Sequence, residues 1–250
     1  MLEGLRERLK AGDVTIGSWM QLRDPSVAEI MGRSGYDWVA LDLEHGQFSL
    51  SSLPDLFRAL ESGDTLPLVR LALGDDTECK QVLDAGAAGV IVPMIRSAEH
   101  LLLVRSACCW PDAGTRGVGF SRANLFGKDF ENYRSRAQNP LLVAMVEHID
   151  VLTELDRILE VSGLDALLIG PYDLSASLGQ TGQLDHPEVK KAMTEIRRRA
   201  ASHGIPCGVH VLEPSRKRLE AQIEVGDRFL AFSMDAVFLW RSAEFRSDRS

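Results

Sequence analysis

Short apolar runs rich in β-branched residues alternate along the chain with longer stretches of helical period, the pattern of successive parallel βα units. Eight runs read as strands, at residues 15–20, 37–43, 66–71, 89–95, 141–147, 166–171, 205–211 and 228–234. Several are apolar at consecutive rather than alternate positions, as strands covered on both faces require. The helix starts between them carry capping chemistry: Asp24-Pro25, Ser49 to Ser52, Asp75 with Asp76, and Ser97. Gly35, Gly86, Gly163, Gly204 and Gly226 each close a helical stretch shortly before the next strand, where a left-handed residue is wanted. Eight such units in 250 residues predict one α/β domain, a single (β/α)₈ or TIM barrel over residues 1–250. Two connections are long. Residues 95–141 include the Gly- and Arg-rich segment TRGVGFSRANLFGK at 115–128, and residues 171–205 include a short turn before a helix that opens near His186-Pro187.

Charge narrows the function classes. Lys plus Arg number 28 and Asp plus Glu 36, a formal charge of −8 with no block of five or six like charges, which argues against the basic face expected of a nucleic-acid-binding protein. No apolar run approaches the roughly 18 to 20 residues of a membrane span. Met1 to Lys10 reads as a charged amphipathic helix rather than a secretory leader. Cys79, Cys108, Cys109 and Cys207 contain no CxxC spacing, and with no export signal they point to free thiols in a reducing cytoplasm.

In a parallel barrel the informative polar residues are those that finish the strands. The first strand ends near Trp19 and Gln21, the second at Asp42, Glu44 and His45, and the third at Arg70. The fifth ends at Glu147 and His148, the sixth at Asp173 and Ser175, the seventh at His210 and the eighth at Asp235. Taken singly, each has an ordinary structural use: an Asp caps a helix, and a strand-end Arg pairs at the surface. Taken together, two carboxylates, an Arg and a His from different strands converge on one mouth. Glu147 and Asp173 end neighbouring strands, so both can reach one ion. A pair of carboxylates without Cys favours a hard divalent cation, Mg²⁺ or Mn²⁺, over structural zinc. The turn from Gly170 through Pro171 and Tyr172 to Ser175 opens a helix whose free N–H groups can hold a carboxylate. Arg70 offers a guanidinium to a developing oxyanion. His45 suits proton transfer, and Asp42, three residues earlier, is placed to orient it. The six lysines all fall on predicted helices or loops, so no strand carries the buried amine that a Schiff-base aldolase needs.

These residues lie in a recognisable order. The segments GYDWVALDLEHGQFSL at 35–50, LVRL at 68–71, DAGAAGVIVPMI at 84–95, TRGVGFSRANLFG at 115–127, VEHID at 146–150 and IGPYDLSASLG at 169–179 resemble the metal-dependent class II pyruvate aldolases of the HpcH/HpaI family. That family includes 4-hydroxy-2-oxoheptanedioate aldolase and 2-dehydro-3-deoxyglucarate aldolase. The resemblance implies a TIM barrel, a homohexamer with an exchanged C-terminal helix, and reversible cleavage of a 4-hydroxy-2-oxo acid to pyruvate and an aldehyde through a metal-bound pyruvate enolate. On matching positions, Glu147 and Asp173 would bind the divalent ion (Mg²⁺, Mn²⁺ or Co²⁺), Arg70 would stabilise the enolate, and His45 with Asp42 would handle the proton. Trp19 would wall the pocket, and the backbone around Tyr172 and Asp173 would hold the pyruvate carboxylate. Met145 stands where well-known members carry Gln, Tyr172 where they carry a small residue, and His210 where they carry an aliphatic one. The competing readings are a condensing synthase or an oxaloacetate decarboxylase built on the same enolate, and a non-catalytic binding subunit.

Overall fold

The computed structural model describes residues 1–245. Eight parallel strands close into one barrel in sequence order: β1 (Thr15–Met20), β2 (Trp38–Asp42), β3 (Leu66–Arg70), β4 (Gly89–Val92), β5 (Leu141–Val146), β6 (Ala166–Ile169), β7 (Cys207–Val211) and β8 (Phe229–Met234). Helix α1 (Leu2–Ala11) precedes β1. The surrounding helices are α2 (Pro25–Gly32), α3 (Leu53–Glu61), α4 (Asp76–Ala85), α5 (Ala98–Cys108), α6 (Phe130–Ala137), α7 (Val151–Leu159), α8 (Pro171–Ser177), α9 (Pro187–Ser202), α10 (Arg216–Glu224) and α11 (Asp235–Ala243).

Both faces of nearly every strand are buried, which is why the sequence runs are apolar at consecutive positions. Outward residues such as Val39, Leu41, Val90, Leu142, Leu167 and Val209 pack beneath the helices. Inward residues such as Trp38, Ala40, Leu68, Val143, Leu168 and Phe229 fill the barrel. Trp38 and Phe229 stack at 4.5 Å in the interior, and Gly17 makes room for them, because a Cβ there would lie 2.0 Å from the Trp38 ring. Leu5 and Leu9 of α1 join this inner cluster beside Leu66 and Leu141 at the strand starts, and Arg6 is anchored to Asp165 at 2.8 Å. Leu5 and Leu9 therefore cover the N-terminal end of the barrel interior.

Of the predicted caps, Asp24, Asp75 and Ser97 accept hydrogen bonds from Ser26, Glu78 and His100 N–H groups, whereas Ser49 and Ser52 make no side-chain capping bond; Gly35, Gly86, Gly163, Gly204 and Gly226 all have positive φ. Except for β1, which matches its run, the strands are shorter than the apolar runs. The run at 166–171 ends as a strand at Ile169, because Pro171 fixes the φ of the first residue of α8. The segment at 115–128 folds on the outside of the barrel around Asn124, whose amide group bonds the backbone of Gly119, Ser121 and Gly127. All four cysteines are free and buried. No helix among the described residues is long and apolar enough to cross a membrane.

Candidate active site at the open end of the barrel

Side chains alternate in and out along a strand. Ala40, Leu68 and Met145 point inward, so the next residues on those faces, Asp42, Arg70 and Glu147, belong to the same inner surface, whereas on β8 the register shift brings Met234 to the inner cluster after Ala231. On β7, Cys207, Val209 and Val211 pack outward, which turns His210 inward. Trp19 is the last inward residue of β1.

Cross-strand pairing puts Asp42 directly beside Arg70, and the two form a bidentate ion pair at 2.8 and 2.7 Å. Gln21 Nε2 donates to the same carboxylate at 2.8 Å, and the backbone N–H groups of Glu44 and His45 donate at 3.1 Å. Burial works to raise the Asp42 pKa, but the bonds and charge of Arg70, aided by Gln21 and His45 N–H, outweigh it and hold the carboxyl below its ordinary value. Arg70 also meets Glu44 at 3.1 Å and lies over the Trp19 ring at 4.6 Å. Its plane is thereby fixed from three sides, with N–H groups left to offer a substrate oxygen. This corrects the expectation that Asp42 orients the His45 imidazole: the carboxylate reaches only the His45 backbone, because β2–β3 register delivers Arg70 to it first. His45 itself is exposed on the turn that Asp42 braces.

Glu147 is 3% exposed. Burial, reinforced by the charges of Glu44 and Asp173 against a bond from Met94 N–H, pushes its carboxyl up to about 7. The Met94 N–H donates at 2.8 Å from a left-handed backbone (φ 50°), and the carboxylate lies so close over Gly170 that a Cβ there would be 2.5 Å from Oε1. Asp173 stands exposed in the first turn of α8. Asp42, Glu44, Glu147 and Asp173 gather about the single Arg70 guanidinium, so the mouth carries an excess of negative charge, and Glu147 and Asp173 are the two carboxylates that Arg70 does not pair and that could hold a divalent cation. Among the described residues no group of three or more His, Cys, Asp or Glu side chains is arranged to hold a metal, so a closed structural zinc site is not built here. The donor set fits a hard ion that leaves positions open to substrate oxygens and water.

The remaining predicted residues divide. Gly170, Pro171 and half-exposed Tyr172 form the rim at the start of α8, where the Tyr172 and Asp173 N–H groups have no intrahelical acceptor. His210 lies 5.7 Å from Trp19. Ser175 is a correction: its hydroxyl donates to Tyr172 carbonyl at 2.6 Å and accepts from Gly182 N–H at 2.9 Å, so it is spent inside its own turn rather than offered to a ligand. Met94 and Ser233 were not signalled by side-chain type, since each acts through its backbone. Asp235, the first residue of α11, is not its cap but a tie to the loop after β1, accepting from Gln21 and Leu22 N–H at 2.9 Å.

Two clefts of about 580 and 640 Å³ lie elsewhere. One is lined by Leu66, Ala88 and Pro140 and the other by Pro206 and Arg228, all at strand starts, and neither holds any of these groups. Barrel chemistry belongs to the opposite end.

A family model described as HpcH/HpaI aldolase/citrate lyase matches residues 15–240. The chain is 38% identical over 242 residues to a hydroxypyruvate/pyruvate aldolase of Roseobacter denitrificans, covering 95% of this chain and 93% of that protein. It is 36% identical over 247 residues to a 2-keto-3-deoxy-L-rhamnonate aldolase of Salmonella gallinarum, covering 98% and 90%. A solved HpcH/HpaI aldolase/citrate lyase family protein from Burkholderia cenocepacia J2315 superposes with a TM-score of 0.90 at 29% identity, covering 96% of this chain and 95% of that one.

Proposed function

The chain belongs to the HpcH/HpaI aldolase/citrate lyase family, and we propose that it is a divalent-metal-dependent class II aldolase that reversibly cleaves a 4-hydroxy-2-oxo acid to pyruvate and an aldehyde. The observation that carries this reading is the Arg70 guanidinium, clamped by Asp42, facing the same mouth as buried Glu147. Glu147 and Asp173 would hold the ion. When bound, it supplies a Lewis acid for the oxygens of the 2-oxo acid.

The chain's own groups do the rest. Arg70 donates to the 2-oxo oxygen, where negative charge collects as the C3–C4 bond breaks. His45 takes the proton of the 4-hydroxyl, whose oxygen becomes the aldehyde carbonyl, while the bonding pair passes to the three-carbon fragment. A proton delivered to C3 then completes pyruvate. The first-turn N–H groups at Tyr172 and Asp173 orient the acid's carboxylate. Trp19 keeps water from the inner wall. Asp42 acts through Arg70 and is a positioning residue. The reading extends to a cytoplasmic homohexamer using Mg²⁺ or Mn²⁺, with Co²⁺ a further candidate. Two carboxylate ligands support the hard ion, four free thiols support a reducing compartment, and family membership supports the assembly.

The deciding experiment couples pyruvate formation to lactate dehydrogenase across a panel of 4-hydroxy-2-oxo acids. EDTA treatment is expected to abolish the signal, and added Mg²⁺ or Mn²⁺ to restore it. Pyruvate formation untouched by EDTA, or none with any acid before treatment, would sink the proposal. The role of His45 has its own test. In His45→Ala, cleavage is expected to fall about a hundredfold or more, whereas exchange of pyruvate methyl protons with D₂O falls less than about tenfold, because exchange needs no 4-hydroxyl proton transfer. Equal losses in both would assign His45 a purely structural place.

A further inference from the structure

From the geometry of β7 and β8 we infer that His210 selects substrates bearing a hydroxyl group beside the carbons being joined or parted, accepting that hydroxyl's hydrogen bond at Nδ1. The inference rests on the aldolase reading for the identity of those carbons.

It begins with a defect in the barrel. The β1–β8 register shifts between Gly17 and Trp19, so that Trp19 pairs with Met234, and Ser233 is left in a left-handed conformation at φ 53°. A non-glycine residue held there is strained, and such bulges re-aim backbone groups. The group re-aimed here is the Ser233 carbonyl, which accepts from Ser18 Oγ at 3.2 Å and meets His210 Nε2 at 3.0 Å. A carbonyl only accepts, so Nε2 carries the hydrogen. In a neutral imidazole the other nitrogen is then bare, and none of the hydrogen bonds among the described residues uses it. Burial, with the nearby charge of Arg70 adding to it, pulls the His210 pKa down to about 4, so the ring is neutral at ordinary pH.

The surroundings decide what this nitrogen can recognise. His210 is on the inner wall beside Trp19, and Arg70 covers the Trp19 ring. A cationic donor is opposed by Arg70. An anion brings only lone pairs to a lone pair. A neutral O–H donor remains, and in an aldol reaction it has two sources: the three-carbon acid, as a 3-hydroxy-2-oxo acid, or the aldehyde, as a 2-hydroxyaldehyde.

The test compares matched pairs in wild type, His210→Leu and His210→Gln. One pair is hydroxypyruvate against pyruvate with a fixed aldehyde; the other is glycolaldehyde against acetaldehyde with pyruvate. In His210→Leu the kcat/KM preference for the hydroxylated member of one pair is expected to fall about tenfold, the value of one neutral hydrogen bond, with the deoxy member nearly unmoved. His210→Gln, which keeps an acceptor, is expected to retain most of the preference. The pair that responds names the source of the hydroxyl. A residue that merely fills space would move both members together. Each compound is also titrated alone by calorimetry, where no carbon bond can form. Hydroxyl discrimination in binding that depends on His210, in a protein with no aldol activity, would overturn the aldolase reading while keeping the hydroxyl contact at His210. Ratios unchanged by His210→Leu in both turnover and binding would overturn this one.

Discussion

In Glu147→Gln, pyruvate release is expected to fall to the uncatalysed background, while the metal-free variant melts above the wild type at pH 8. Both effects come from one carboxyl, the first from its charge as a ligand and the second from its burial. Its pKa is pushed from 4.5 to about 7, first by loss of solvent and then by the charges of Glu44 and Asp173. Between those values the folded protein keeps a proton that the unfolded chain has released, so stability is full below pH 4.5 and declines as pH rises through 7. A difference of about 2.5 in pKa corresponds to roughly 3 kcal/mol at pH 8, and an amide escapes it. Glutamine can still accept the Met94 N–H at 2.8 Å, so the loop after β4 is not released. A neutral amide is a poor ligand for a hard dication, and cleavage goes with it. Calorimetric melting in EDTA at pH 5 and pH 8 checks the claim. The gap between variant and wild type should open as pH rises; a gap of the same size at both, or retained turnover, would count against it.

Arg70→Ala is expected to lose about a hundredfold or more in turnover, the usual consequence of removing one oxyanion donor. It should also lose stability, for a separate reason. Asp42 is fully buried, and without Arg70 it keeps Gln21 and two backbone N–H groups but no compensating charge. Stranding one member of such a pair costs about 3 to 5 kcal/mol. The double variant Arg70→Ala, Asp42→Asn removes the stranded charge, so urea unfolding should show most of the stability returned while turnover stays at the Arg70→Ala level. If turnover came back with stability, Arg70 would be a structural residue and the oxyanion would be held by other groups.

The barrel was legible because its strands are buried twice over, and a stretch such as LLVAMV at 141–146 has few other readings. The strand-end residues were legible for a related reason, since the open end is where polar side chains interrupt those runs. Partnerships were not. Asp42 and Arg70 are far apart in the chain, and only the β2–β3 register makes them neighbours, so nearness in sequence suggested His45 instead. Ser175 misled because a hydroxyl in a polar turn looks the same whether it faces a ligand or its own backbone. Met94 and Ser233 left no trace, because a left-handed φ at a residue with a side chain is imposed by packing around it rather than encoded by its type.

Leu5 and Leu9 of α1 cork the far end of the barrel, and that fixes the traffic. On the proposed reading the opposite end is the doorway, and an acid entering it and two fragments leaving it would take turns. With the three-carbon acid held against Glu147 and the aldehyde in front of it, departure is expected to be a queue, aldehyde first and pyruvate second, and synthesis the same queue run backwards, with pyruvate in its seat before its partner arrives.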